Sequence, residues 1–377
     1  TPPGRGLWMM GTDFVWQKGG AALNNPLSPD TEVLTKEYGW IALGDIPTTE
    51  ITVLSKLRNS SGQFTGGTGW FSATITPREK HTVYKIAYET KFGNNYEVIC
   101  SENHRWFRKS TTKKAFERVD TTNLRVGDYL PRSKPTLTLD LSLIGAAHGY
   151  FFGDGTRSNG ELHQFTEENK KVLQKLFASD YFRESDRVLD SGLTDMVVKN
   201  LPLAWAKIPE GEYKKDHRYV YGFLAGYFAA DGRISDYTIH SSRKQELEEV
   251  SQLFWKLGIE TGQVVLDSES SNFSDTRKLY KLKINRYDLP EKFFIREDHI
   301  EKAKNRKAPK YDYHKISNIT KLNEPQEVMC VNTPAHENFT IQGFTTTSNC
   351  GFVSTENIDA EMSKPFAFLM DMSMVGV

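Results

Sequence analysis

An internal repeat restricts the fold of this chain more than any other feature. GYFFGDGTRS (Gly149–Ser158) and GYFAADGRIS (Gly226–Ser235) agree at six of ten positions, 77 residues apart. The same offset relates His163 to His240, Leu162 to Ile239, and Leu176-Phe177 to Leu253-Phe254. The duplicated unit is therefore longer than its motif. It reads as a helix, then strands, then an amphipathic helix. The amphipathic helices are expected at Glu167–Ser179 and Ser242–Gly258. On the second motif helix Gly222, Ala225, Gly226, Ala229 and Ala230 fall on one face. On the first, Gly145, Gly149 and Gly153 recur every fourth residue. Small residues in such a stripe let two helix backbones come very close. Two such units predict a pseudo-symmetric α/β domain over residues 138–299.

Each motif helix ends in Asp-Gly, at Asp154-Gly155 and Asp231-Gly232. The glycine suits a left-handed C-cap. The aspartate is out of place, because a carboxylate at a helix C-terminus opposes the dipole by ~0.3–1 kcal/mol. Packing the helices together adds repulsion between the two carboxylates. A divalent cation between them removes both penalties, and paired carboxylates holding Mg²⁺ suit in-line attack on a phosphodiester. The plainer reading is a helix pair with structural Asp-Gly ends. The formal net charge is zero, so contact with nucleic acid must come from local basic patches.

The flanking segments follow a different pattern. From Thr31 to Arg132, short apolar runs are broken by Gly, Asn, Asp and Pro, an all-β signature. Lys85–Thr90 and Tyr96–Cys100 flank FGNN and read as a hairpin. A second β-like piece spans Lys315–Asn349. The first 25 residues are Gly-rich, without a clear period, and cannot build a core alone. The longest apolar run, Tyr219–Ala230, falls well short of the ~20 residues of a membrane span. No signal peptide is visible at the N-terminus. The three cysteines, Cys100, Cys330 and Cys350, argue against a disulfide framework and fit a reducing compartment, the cytoplasm of a prokaryotic or phage-infected cell.

LAGYFAADG (Leu224–Gly232) and its partner motif resemble the LAGLIDADG homing endonucleases. The resemblance implies a β-saddle on double-stranded DNA, with Asp154 and Asp231 as catalytic metal ligands for Mg²⁺. Lys207, in KIP before the second motif, matches a position where that family often carries an active-site lysine.

The β-rich flanks resemble the Hint splicing domain of inteins, a mainly β, horseshoe-like fold, here over residues 26–137 and 300–349. SENHRWF (Ser101–Phe107) resembles the intein Thr-x-x-His motif, with Ser101 in the threonine place. VMCVNTPAHENFTIQGFTTTSNC (Val328–Cys350) resembles the C-terminal intein motifs, ending at Asn349 with Cys350 outside. The insert would run from Pro26 to Asn349. Pro26 departs from the common pattern because it has no nucleophile to open the Asn25–Pro26 bond. Trp106, Cys330 and Thr347 together resemble the marker triplet of class 3 inteins, which lack a first-residue nucleophile. The resemblance implies that Cys330, as thiolate, attacks the Asn25 carbonyl and forms a branched thioester. His104 would protonate the leaving Pro26 nitrogen, and Ser101 with neighbouring amides could hold the oxyanion. Cys350 would take over the acyl group, and Asn349 would cyclise. A cis or distorted Asn25–Pro26 bond is more accessible than at other residues. Ser348 replaces the histidine that inteins usually place before the terminal asparagine. His336 would assist cyclisation in its stead, or merely order its loop. Splicing would need no cofactor and no partner, and the chain would be monomeric with no membrane contact.

Joined without the insert, residues 1–25 and 350–377 resemble adenosylcobalamin-dependent (class II) ribonucleotide reductases. In that family the cysteine matching Cys350 belongs to the redox pair. These 53 residues lack most of a reductase barrel, so adenosylcobalamin would concern only a full host enzyme. Three rival readings remain: a zinc-binding module using Cys100, His104, Cys330 and His336; a DNA endonuclease with an inactive splicing half; and a reductase fragment with an inert insertion. The zinc spacings fit no compact pattern.

Overall fold

The computed structural model describes residues 25–109, 115–135, 139–158, 161–165, 183–188, 194–198, 203–270, 277–305 and 313–349. Residues 1–24 and 350–377 lie outside this set, and with them the reductase-like flanks and Cys350. So does the amphipathic helix expected at Glu167–Ser179. The chain divides into two compact units, the first comprising described residues 25–88, 96–133 and 313–349, the second 89–95 and 134–305.

In the first unit the chain forms β1 (Glu32–Thr35), β2 (Gly39–Ala42), β3 (Glu50–Arg58), β4 (Phe64–Ile75), β5 (Glu79–His81), β6 (Val83–Glu89), β7 (Asn95–Ser101), β8 (Arg105–Arg108), β9 (Glu117–Asp120) and β10 (Tyr129–Pro131). After residue 312 it adds β19 (Tyr313–Lys321), β20 (Gln326–Val328), β21 (Val331–Asn332), β22 (Asn338–Ile341) and β23 (Thr345–Ser348), the intervening numbers belonging to the second unit. The largest sheet runs β21-β4-β3-β1-β22-β23, with β2 also on β1, and a second runs β10-β19-β6-β7. The late strands therefore complete sheets begun by the early ones. Asn338 fastens one such joint: its Oδ1 accepts from the Lys56 amide at 2.7 Å and its Nδ2 donates to the Lys56 carbonyl at 2.9 Å. Val33, Val53, Ile86, Val98, Trp106, Phe339 and Ile341 share the core.

β23 is buried throughout although it reads Thr-Thr-Thr-Ser. Branching at Cβ suits the three threonines to a strand. Two of the hydroxyls avoid the cost of dry burial by pairing: Thr346 bonds Ser133, and Thr347 bonds His104.

The second unit holds the repeat. Helix α1 (Leu143–Asp154) precedes β11 (Gly155–Ser158), β12 (Glu161–Phe165), β13 (Arg183–Val188) and β14 (Thr194–Val198). Helix α2 (His217–Asp231) precedes β15 (Gly232–Arg233), β16 (Thr238–Ser241), helix α3 (Lys244–Lys256), β17 (Val265–Ser270) and β18 (Arg277–Lys283). The strands form two antiparallel sheets, β11-β12-β14-β13 and β15-β16-β18-β17. Asp216 caps α2, accepting from the amides of Arg218 and Tyr219. The amphipathic α3 buries Leu247, Val250, Leu253 and Phe254.

The glycine stripes bring α1 and α2 into backbone contact. A Cβ on Gly149 would stand 1.8 Å from the Phe223 carbonyl oxygen, and one on Gly226 would stand 1.9 Å from that of Ala146. The expected left-handed cap is absent at Gly232, whose φ of −79° and ψ of 135° are extended. Glycine is required there for space, because a Cβ would meet the Phe228 carbonyl oxygen at 2.2 Å.

Candidate active sites

Two sites emerge, one in each unit. In the first, Pro26–Ser28 lies between β7 and the end of β20. Leu27 exchanges backbone hydrogen bonds with Met329 at 2.8 Å, and the Ser28 amide donates to Ile99. The Pro26 carbonyl accepts from the Ser101 amide at 3.1 Å. That pairing fixes the Asn25–Pro26 bond. No cis peptide bond occurs among the described residues, so the Asn25–Pro26 bond is trans here. The Ser101 amide serves the Pro26 carbonyl rather than that of Asn25. The Ser101 hydroxyl is buried and has no hydrogen-bond partner among the described residues.

His104 is fully buried beside this junction. Burial lowers its pKa to about 3, against an upward pull from the backbone of Asn25 and Pro26. The ring is therefore held neutral at ordinary pH. Its Nε2 lies 2.5 Å from the Thr347 hydroxyl, and its Nδ1 has no hydrogen-bond partner among the described residues. Trp106 meets it edge-on, with ring centroids 4.8 Å apart. The indole Nε1 donates to Thr121 Oγ1 at 3.1 Å, and the Thr121 hydroxyl donates to the His104 carbonyl. The structure thus brings His104, Trp106 and Thr347 together from β8 and β23. Thr121 completes the group, although no motif in the sequence marked it.

Cys330 follows Met329, the residue paired with Leu27, and exchanges hydrogen bonds with Thr76 through its backbone. It is buried and disulfide-bonded. Cys100 is free, buried and 3.4 Å from the Thr121 hydroxyl. Burial pushes its thiol up to about 12, which leaves it protonated and inert.

At the other junction, Asn349 is buried. Its Nδ2 donates to Asn332 Oδ1 at 3.2 Å and to the Thr333 carbonyl at 3.0 Å. Its carbonyl oxygen accepts from Asn25 Nδ2 and, at 3.5 Å, from the Ser348 hydroxyl. His336 packs edge-on against Phe71, with centroids 4.5 Å apart, and its carbonyl accepts from Asn338. Asn332 and Thr333 hold the asparagine. Asn332 sits two residues after Cys330, a spacing whose meaning appears only once β21 pairs with β4.

The four residues of the zinc reading have these separate partners. Among the described residues no group of three or more His, Cys, Asp or Glu is gathered to hold a metal ion.

In the second unit, α1 and α2 end side by side. Asp231 Oδ2 lies 3.0 Å from where a Cβ on Gly153 would stand, and Asp154 follows Gly153 directly. Beside Asp231 opens a cleft of about 490 Å³ lined by Tyr227, His240, Arg243, Glu246 and Lys278 among others. Lys207 is not among the described residues lining it. Its carbonyl accepts from His148 Nε2 at 2.7 Å, which ties Lys207 to the middle of α1. Lys278, on β18, and Arg243 are among the residues that line it, Arg243 paired with Glu246. Cross-strand pairing explains why the sequence hid Lys278. On the same sheet Asp267 accepts from Lys281 at 2.7 Å and lies 3.5 Å from His240.

Residues 218–289 match the LAGLIDADG-like domain family. A comparison with curated proteins returns no match. Among solved structures the chain is similar to the homing endonuclease I-DmoI in complex with DNA and calcium, at 17% identity over 38% of this chain and 82% of that one, with a TM-score of 0.27. It is similar to a mutant of an Ssp DnaB mini-intein variant, at 10% identity over 86% of this chain and 98% of that one, with a TM-score of 0.29. The N-terminal LAGLIDADG domain of WhiA is similar at 15% identity over 38% and 78%, with a TM-score of 0.27. At TM-scores this low the likenesses carry no functional weight.

Proposed function

We propose that residues 26–349 are an intein that excises itself and joins Asn25 to Cys350. Its Hint domain would comprise 26–137 and 300–349, and a LAGLIDADG endonuclease of pseudo-two-fold α/β build would occupy 138–299. The observation that carries this reading is the hydrogen bond from Asn25 to the Asn349 carbonyl. Two residues 324 apart in sequence meet at the bonds that splicing must cut, with His104 beside them. The flanks belong on this reading to a cobalamin-dependent ribonucleotide reductase.

The chemistry begins with reduction of the Cys330 disulfide by a dithiol, which supplies two electrons and two protons. The Cys330 sulfur then adds to the Asn25 carbonyl. Neutral His104, with Nδ1 available, takes the thiol proton and passes it to the Pro26 nitrogen as the C–N bond breaks. Burial keeps the ring neutral beforehand, and the imidazolium, once formed, is a strong acid that gives its proton up readily. Thr347, Trp106 and Thr121 keep the imidazole in place. The branched thioester passes its acyl group to the Cys350 thiol by exchange. Asn349 cyclises and releases the insert, and an S-to-N shift makes the new peptide bond.

For the nuclease, Asp154 and Asp231 would hold Mg²⁺. Two carboxylates from helices ending side by side offer the hard oxygen donors that ion takes, and Glu246 lines the same cleft. The ion would polarise a DNA phosphate. Arg243 and Lys278 would face the phosphate charge, and double-stranded DNA would be the partner.

Intact mass of the purified chain, before and after dithiothreitol, tests the splicing reading. A 53-residue ligated product and a free 324-residue insert are expected only after reduction. Cys330→Ala should block cleavage before Pro26, and Asn349→Ala should accumulate branched species. Normal splicing by Cys330→Ala would refute direct attack. The disulfide at Cys330 also favours a second reading, a nuclease whose splicing half is silent. Absence of any cleavage after complete reduction would select it.

A further inference from the structure

We infer that the Asn25 carboxamide, assisted by the Ser348 hydroxyl, forms the oxyanion cradle for cleavage at Asn349. This rests on the splicing reading but assigns chemistry to a side chain that would otherwise be the last spectator before the insert. Asn25 is 1% exposed. Its Oδ1 accepts from the Arg105 backbone amide at 2.5 Å. A backbone N–H only donates, so the atom facing it must be the carboxamide oxygen. That settles the orientation of the group, and Nδ2 points at the Asn349 carbonyl oxygen, to which it donates.

The same oxygen lies 3.5 Å from Ser348 Oγ, which also reaches the Glu337 carbonyl at 3.4 Å. The Asn349 amide donates to that Glu337 carbonyl at 3.1 Å, which anchors the junction. Asn25 Nδ2 is thus the fixed donor on this buried carbonyl, the single Ser348 proton is shared between it and the Glu337 carbonyl, and neither group belongs to a histidine.

Cyclisation places charge on this oxygen. Asn349 Nδ2 attacks its own carbonyl carbon, and the new C–N bond closes a succinimide ring. The bond to residue 350 breaks, its electron pair leaving with the nitrogen, and the proton lost from Nδ2 is the one the departing amine gains. The carbonyl oxygen is negative in between. Donors held in place before reaction, in a site closed to water, act most strongly at that moment. On the attacking side, Asn332 Oδ1 and the Thr333 carbonyl accept both protons of Nδ2. They turn the nitrogen and push electron density onto it.

The arrangement couples the two junctions. The donor sits on the residue whose acyl group is to be transferred, so cleavage after Asn349 is fast only while the N-terminal segment is attached.

The test uses the full chain. Asn25→Ala, Asn25→Gln and Ser348→Ala are reduced with dithiothreitol, and each junction is timed by intact mass. Loss of one oxyanion donor should slow cleavage after Asn349 by about a hundred-fold in Asn25→Ala. A smaller loss is expected in Ser348→Ala and partial rescue in Asn25→Gln, while thiol-induced release of residues 1–25 changes far less. Parental rates after Asn349 in Asn25→Ala would overturn the proposal and leave splicing standing. In the unreduced chain, the ¹³C resonance of the Asn349 carbonyl gives a readout independent of splicing. It should move upfield in Asn25→Ala, and an unmoved resonance would likewise overturn the cradle. A chain that cuts at neither junction would refute the splicing reading, and the cradle's catalytic role with it, whatever the resonance does.

Discussion

At the scale of single residues, burial decides chemistry here more than identity does. His104 and Cys100 are both fully buried, and burial drives both toward their neutral forms, the imidazole down to about 3 and the thiol up to about 12. One is held as the neutral imidazole and resists protonation, and the other is held as the thiol. His148, between Tyr219 and the Lys207 carbonyl, is likewise lowered to about 4 by burial. Both histidines lie below the value of 6.5 they recover on unfolding. The unfolded chain therefore binds protons that the folded chain refuses, and stability is lost as pH falls from 6.5 toward the folded values. At pH 5 the penalty is of order 2 kcal/mol per histidine. Urea midpoints at pH 7 and pH 5 should show it, and His148→Gln should flatten the difference. An equal slope in that variant would mean that His148 protonates in the folded state.

At the scale of elements, α1 and α2 touch through backbone, not side chains. The space a methyl group would need on Gly226 or Gly149 is already filled by carbonyl oxygens. Gly226→Ala should cost about 3 kcal/mol or more through forced separation of the helices, read as a lowered thermal midpoint. Alanine favours an isolated helix, so a stabilised variant would show that the helices do not pack this way. β22 and β3 depend on Asn338 in a comparable manner. Asn338→Ala strands two backbone groups of Lys56 and should cost about 2–4 kcal/mol, measured by urea unfolding, whereas a surface change such as Asn318→Ala should stay within ~0.5 kcal/mol.

At the scale of the molecule, the two units have separate cores, one around Trp106 and Phe339 and the other around Phe223 and Phe254. Their chemistries should fail independently. Asp154→Asn and Asp231→Asn are expected each to abolish Mg²⁺-dependent cutting of a duplex carrying the joined flank-coding sequence, while the yield of ligated product is unchanged. Cutting retained in both variants would remove these carboxylates from the metal role.

The repeat, the glycine stripes and the strand-rich flanks were legible in the sequence because they are periodic, and periodicity is a local property of the chain. Gly222 and Gly226 announced a close helix contact before any partner was known. His104, Trp106 and Thr347 stood out through the resemblance of their segments to intein motifs. What only the tertiary structure decided depends on residues remote in sequence meeting in a dry interior. Asn25 looked like the residue before a junction until Arg105 fixed one end of its carboxamide and aimed the other at Asn349. Asn332 gained its place from the pairing of β21 with β4, and Lys278 from the position of β18. The neutral state of His104 likewise follows from its burial among residues remote in sequence. Hydrogen-bond direction and desolvation exist only between neighbours in space, and no run of residues specifies them alone.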